Sequence, residues 1–110
     1  MQGSSLRFYM PENHKHRGML LYEWLLEQAK QRGIHGDSAF RASAACGRHG
    51  VLQDQHFFEL AGETTVLVEC IVSDRQGDEL LRSVRADGAH LFDARLPTEF
   101  GIVDEADRAN

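Results

Sequence analysis

The stretch Thr64-Thr65-Val66-Leu67-Val68-Glu69-Cys70-Ile71-Val72-Ser73, TTVLVECIVS, decides how the rest of the chain is read. It is rich in β-branched residues and carries neither glycine nor proline, the composition of a strand. Two-residue alternation puts Val66, Val68, Cys70 and Val72 on one face and Leu67, Glu69 and Ile71 on the other. A strand apolar on both faces belongs in the middle of a sheet, so both of its faces need cover.

Downstream, Leu80, Leu81 and Val84 recur at helical spacing within Asp78–Arg85, and Gly88 marks the exit toward a last strand at His90–Leu96. Upstream, Ser38–Ala45 reads as a strand, with Phe40, Ala42 and Ala44 on one face and Arg41 and Ser43 on the other. If the connector Cys46–Glu63 closes a regular hairpin, Arg41 lies near Glu69 on the face away from the helices. Before it, Leu21, Tyr22, Leu25, Leu26 and Ala29 form one arc of a helix spanning Met19–Arg32, Glu23, Glu27 and Lys30 fall opposite, and Gly33 stops it. Trp24 stands at the edge of that arc, where a core or interface position suits it better than a ligand platform. A short strand at Leu6–Met10 ends at Pro11, and Glu12–Gly18 is a polar connector.

The order is therefore βαββαβ, an α+β ferredoxin-like sandwich: a four-stranded antiparallel sheet with two helices on one face. Residues 1–5 are expected to be disordered, 6–103 to form the domain, and 104–110 to be a flexible acidic tail. The second face of the sheet offers Leu67 and Ile71 and has no cover within the chain, so it is expected to be buried against other copies of the same protein.

The chain has 110 residues, 42% of them hydrophobic and 26% charged, which suits one domain. Its net charge of −5 disfavours a nucleic-acid groove reader. The absence of a long apolar run and of signal-peptide character at Met1–Ser5 sets the expectation of a cytoplasmic protein. Two cysteines, Cys46 and Cys70, make neither a disulfide framework nor a paired metal motif, and Cys70 reads as a small core residue.

The chemistry concentrates in Cys46-Gly47-Arg48-His49-Gly50. Two glycines bracketing an arginine and a histidine form a turn able to aim backbone N–H groups and a guanidinium at an anion. No P-loop motif is present, which disfavours nucleotide hydrolysis of that class. Six histidines raise a metal alternative in which His14 and His16 converge with His49 or His56 on Zn²⁺ or Cu²⁺, although Lys15 and Arg17 interleave charges that repel a cation. A second alternative is a small enzyme using Cys46 and His49. No orienting base or oxyanion hole accompanies them, so the reading favoured is non-enzymatic. Glu23 and Glu27 read as a solvated face offset by Lys30 rather than as an acid–base pair.

The segment GMLLYEWLLEQAKQRGIHGDSAFRASAACGRHG, then FFELAGETTVLVECIVSD and LFDARLPTEFGIV, resembles the PII-like bacterial proteins grouped as domain of unknown function 190. The likeness spans Leu6–Val103 and is most specific at Leu21-Tyr22-Glu23, Phe40-Arg41, Gly47-Arg48-His49-Gly50 and Phe57-Phe58-Glu59-Leu60. It implies a PII-like homotrimer acting in signal transduction, with a small anionic effector such as an adenine nucleotide bound between subunits. Arg41, Gly47, Arg48, His49 and Gly50 would form that effector site. The same resemblance implies that the 46–63 loop docks on a partner such as a membrane transporter or an enzyme. The chain departs from the family pattern in having Ala45-Cys46-Gly47 where a Gly-aromatic-Gly run is usual, and only Ala86-Asp87-Gly88-Ala89 where PII proteins carry a glycine-rich phosphate loop.

Overall fold

The computed structural model describes residues 1–34, 37–42 and 65–103. The chain runs β1 (Gln2–Pro11), β2 (Lys15–His16), β3 (Met19–Leu20), α1 (Leu21–Gln31), β4 (Asp37–Ala42), β5 (Thr65–Val72), α2 (Asp74–Ala86) and β6 (Phe92–Glu99). A four-stranded sheet in the order β4-β5-β1-β6 is antiparallel throughout, the ferredoxin-like arrangement expected from the element order. The strand TTVLVECIVS is central, as its two apolar faces require.

The alternation within β1 and β5 builds the core. Leu6, Phe8 and Met10 stand opposite Cys70, Val68 and Val66, and all six are buried beneath the helices. Leu21, Trp24, Leu25 and Ala29 of α1 and Leu80, Leu81 and Val84 of α2 complete the cluster. Trp24 is thus a core residue, and Cys70 is fully enclosed. The carboxy-terminal end of α1 is fastened to α2 by Arg32, whose Nη2 donates to Ser83 Oγ at 2.7 Å.

Several boundaries differ from the sequence reading, each for a physical reason. Residues 2–5, expected to be disordered, extend β1, and Gly3, Ser4 and Ser5 are buried. Their polar groups are satisfied: Ser4 Oγ donates to Asp74 at 2.8 Å and Ser5 Oγ to Glu69 at 3.0 Å. Helix α2 starts at Asp74 rather than Asp78 because Ser73 and Gln76 form a reciprocal capping box. Gly77 lies inside that helix and is no break, for a Cβ there would meet the Arg95 guanidinium at 3.0 Å. The polar connector contains the two-residue hairpin β2–β3, whose turn residues Arg17 and Gly18 have φ of 54° and 81°. The last strand begins and ends later than expected, at Phe92 and Glu99. Residues 104–110 lie outside the described residues.

The register of β4 corrects one expectation. Arg41 stands opposite Val66, and Ser38 stands opposite Glu69, so Arg41 and Glu69 are not cross-strand partners. The pairing is displaced by three residues from an Arg41–Glu69 register, and any odd displacement moves a position to the alternate row of the sheet.

Candidate functional site: the open sheet face and the connector after α2

On the side of the sheet away from the helices, the row of β1 consists of Ser5, Arg7 and Tyr9. It is flanked by Ile71, Glu69 and Leu67 on β5 and by Leu96, Ala94 and Phe92 on β6. Among the described residues nothing lies over this face. Leu67 and Ile71 are half-buried and Leu96 is 40% exposed. Tyr9 and Phe92 stack with centroids 5.8 Å apart and planes tilted by 56°. At the centre of this apolar field Arg7 Nε donates to Glu69 Oε2 at 3.1 Å, and the same oxygen accepts from Ser5 Oγ at 3.0 Å. Glu69 is therefore held by two donors from the neighbouring strand. An internally neutralised charge pair inside an apolar field lets a surface be buried without stranding a charge.

The second feature lies where α2 ends. Asp87 caps the helix, and its carboxylate collects three donor groups from the β2–β3 turn. Arg17 Nε reaches Oδ2 at 2.6 Å and Nη2 reaches Oδ1 at 3.0 Å, while His16 Nε2 lies 2.7 Å from Oδ2. The bidentate Arg17 fork, then the hydrogen bond from His16, hold the Asp87 carboxyl down at about 2 against some desolvation by burial. The other face of the cluster is aromatic: the His16 ring meets Trp24 edge-on at 4.4 Å. A left-handed backbone at a non-glycine residue is unfavourable in isolation, and here the Asp87 contacts hold Arg17 in it. Leu21 N–H donates to the His14 carbonyl at 2.8 Å, so one hairpin orders both the start of α1 and the exit of α2. No sequence motif announces this cluster. Its members are some seventy residues apart, and the one local sign is the polar stretch His14-Lys15-His16-Arg17 ahead of Gly18.

The residues singled out in the Gly47–Gly50 turn, with Cys46, His56 and the 46–63 loop, lie outside the described residues. Arg41 is placed through the backbone of β4 alone, opposite Val66. Of the metal candidates, His16 is engaged with Asp87 and Trp24, and among the described residues no group of three metal-ligating side chains converges. Glu23 and Glu27 are exposed on α1, as a solvated face requires. Among the described residues no helix is long and apolar enough to cross a membrane.

The sequence matches the family DUF190, described as uncharacterized ACR, over residues 3–90. A UPF0166 protein of Aquifex aeolicus is 31% identical over 80 residues, which cover 73% of this chain and 76% of that protein. Among solved structures, CPII of Thiomonas intermedia K12 bound to ADP, AMP and acetate superposes with a TM-score of 0.59 at 14% identity over 90% of each chain. The same nitrogen regulatory PII-like protein bound to ADP, AMP and bicarbonate superposes with a TM-score of 0.55 at 15% identity, over 93% of this chain and 98% of that one. At these identities the likeness establishes a shared PII-like fold.

Proposed function

This chain belongs to the DUF190 family, and from that membership we propose that it is a PII-like regulatory protein whose subunits associate as a homotrimer and bind a small anionic effector between them. The observation that carries the reading is the open sheet face, an apolar surface of Tyr9, Leu67, Ile71, Phe92 and Leu96 around a neutralised Arg7–Glu69 pair. Such a face is built to be covered, and a ferredoxin-like sheet covered by its own copies creates clefts between subunits.

The effector is an adenine nucleotide in this proposal, a choice supported by the PII-like neighbour having been solved with ADP and AMP. Arg41, Gly47, Arg48, His49 and Gly50 supply the anion-binding groups, and the 46–63 loop supplies the surface for a partner protein. The protein is a cytoplasmic signal-transduction component and not an enzyme. Calorimetric titration with ATP, ADP, AMP and cyclic nucleotides tests it. Loss of one charge-assisted contact is worth about 1.5 to 3 kcal/mol, so Arg48→Ala weakens nucleotide binding roughly 10- to 150-fold with the oligomer intact. Absence of nucleotide binding at millimolar concentration, with binding of Zn²⁺ or Cu²⁺ instead, replaces this reading with a metal-responsive one.

A further inference from the structure

A second place for an anion lies on the flank of the subunit, between α2 and β6. Among the described residues the helix layer does not extend over the β6 edge, for α1 packs over β4 and β5 and α2 over β1 and β5. On the helix side, β6 therefore presents Asp93 and Arg95 opposite the buried Phe8 and Leu6 instead of continuing the apolar row. The gap is a groove of about 450 Å³ lined by Asp78, Leu81, Arg82, Arg85, Asp93 and Arg95. The four helical residues fall at i, i+3, i+4 and i+7, which is one stripe of α2 turned toward the edge strand.

One end of the groove is a finished wall. The Arg95 guanidinium lies over Gly77, with Nε on Ser4 Oγ at 3.0 Å, Nη1 on Asp78 Oδ1 at 2.7 Å and Nη2 on the Asp74 carbonyl at 3.0 Å. The other end is unfinished. Arg82 and Arg85 are exposed, stand three residues apart on one helix face, and among the described residues have no ion-pair partner. Two like charges at that spacing repel each other. Asp93 is exposed across the groove and has no ion-pair partner among the described residues. Leu81, only 8% exposed, makes an apolar floor.

We propose that the α2–β6 groove binds a small phosphorylated molecule carrying a hydroxyl donor, with its phosphate on the Arg82 and Arg85 guanidiniums and its hydroxyl donating to Asp93. Guanidinium forks match phosphate oxygens, and an anion relieves the repulsion between the two arginines. The acceptor at Asp93 selects a ligand with a donor beside its phosphate, because a bare anion gains nothing there and is repelled. A volume of this size suits a sugar phosphate. The residues that line this groove are not those of the proposed effector turn at Gly47–Gly50.

Titration calorimetry of the intact protein at low ionic strength, with ribose 5-phosphate and inorganic phosphate as probes, tests the proposal. Ribose 5-phosphate binds more tightly than inorganic phosphate. Arg82→Gln and Arg85→Gln each weaken it about tenfold, and Asp93→Asn removes the preference for the sugar phosphate over phosphate. Arg82→Lys with Arg85→Lys keeps the charge that suits a helix C-terminus but loses the forks, so it too weakens binding. In an Arg48→Ala background, which disables the proposed effector turn, ribose 5-phosphate still binds and still depends on Arg82 and Arg85, which separates this site from the nucleotide site whatever the fate of that one. Undiminished binding when Arg82→Gln and Arg85→Gln are added to Arg48→Ala, or no binding by the unmodified protein at millimolar ligand, overturns the proposal.

Discussion

Glu69→Ala is the perturbation that most directly probes the open sheet face. In a lone subunit the carboxylate accepts from Arg7 Nε at 3.1 Å and Ser5 Oγ at 3.0 Å, with the two charged side chains 42% and 28% exposed. A pair that open to solvent is screened, so its loss together with the Ser5 bond costs the isolated subunit only about 0.5 to 1.5 kcal/mol. In the proposed trimer, with neighbouring copies over the face, Arg7 is left as an unpartnered buried cation, and breaking a buried pair costs about 3 to 5 kcal/mol. The excess is about 2 kcal/mol or more per subunit, which over three equivalent subunits raises the trimer dissociation constant by roughly four orders of magnitude. Glu23→Ala, on the solvated side of α1, leaves assembly unchanged. Light scattering across a dilution series reads both variants. Replacing both members, Arg7→Met with Glu69→Leu, restores association because no charge is then stranded. If Glu69→Ala and Glu23→Ala dissociate at the same concentration, the open face is solvated in the assembly and the reasoning fails.

Three further outcomes follow from the same structure. Asp87 has its carboxyl lowered to about 2 from an ordinary value near 3.9, so its stabilising contribution is fully present above about pH 4 and is lost as pH falls through about 2. Asp87→Asn lowers the melting temperature at neutral pH, and the gap from the unmodified protein closes between about pH 4 and pH 2; a constant gap refutes the linkage. Gly3→Ala destabilises by about 1 to 3 kcal/mol or more, because a Cβ there overlaps the Val72 carbonyl oxygen and crowds the Phe100 ring, and chemical denaturation measures it. His16→Ala frees the Trp24 edge and removes one Asp87 partner, so Trp24 fluorescence changes and the acid limb shifts toward higher pH.

The alternating and helical patterns made the sheet, both helices and the buried row of β5 legible, because apolar periodicity is a local property that burial rewards directly. What escaped was set by partners far along the chain. Gly3, Ser4 and Ser5 look like a frayed end in isolation, yet become strand when Asp74 and Glu69 supply acceptors for the two serines. The capping pair Ser73 and Gln76 stands in the sequence ahead of the helix, but the place of Gly77 under Arg95 is visible only in three dimensions. Glu69 was recognised as a residue of the open face wanting a cation. The cation is Arg7 on β1 rather than Arg41 on β4, since the pattern within a strand does not by itself set its register against a neighbour. The Asp87 cluster was illegible because it depends on an arginine in a left-handed turn, a conformation no residue preference announces.

The central position of β1 has a consequence for how the chain is made. β1, made before both of its neighbours, is paired on both sides, to β5 from Pro11 opposite Thr65 through Ser4 opposite Val72, and to β6 from Tyr9 opposite Phe92 through Gln2 opposite Glu99. At about 5 to 20 residues per second, Pro11 waits roughly 3 to 10 s for Thr65 to be translated, and the β6 edge comes later still. During that interval Leu6, Phe8 and Met10 have no sheet partner. The nascent chain therefore presents an apolar strand before either of its sheet neighbours exists. The β1–β5 pairing is a non-local contact, so it forms later than contacts that are local in the chain.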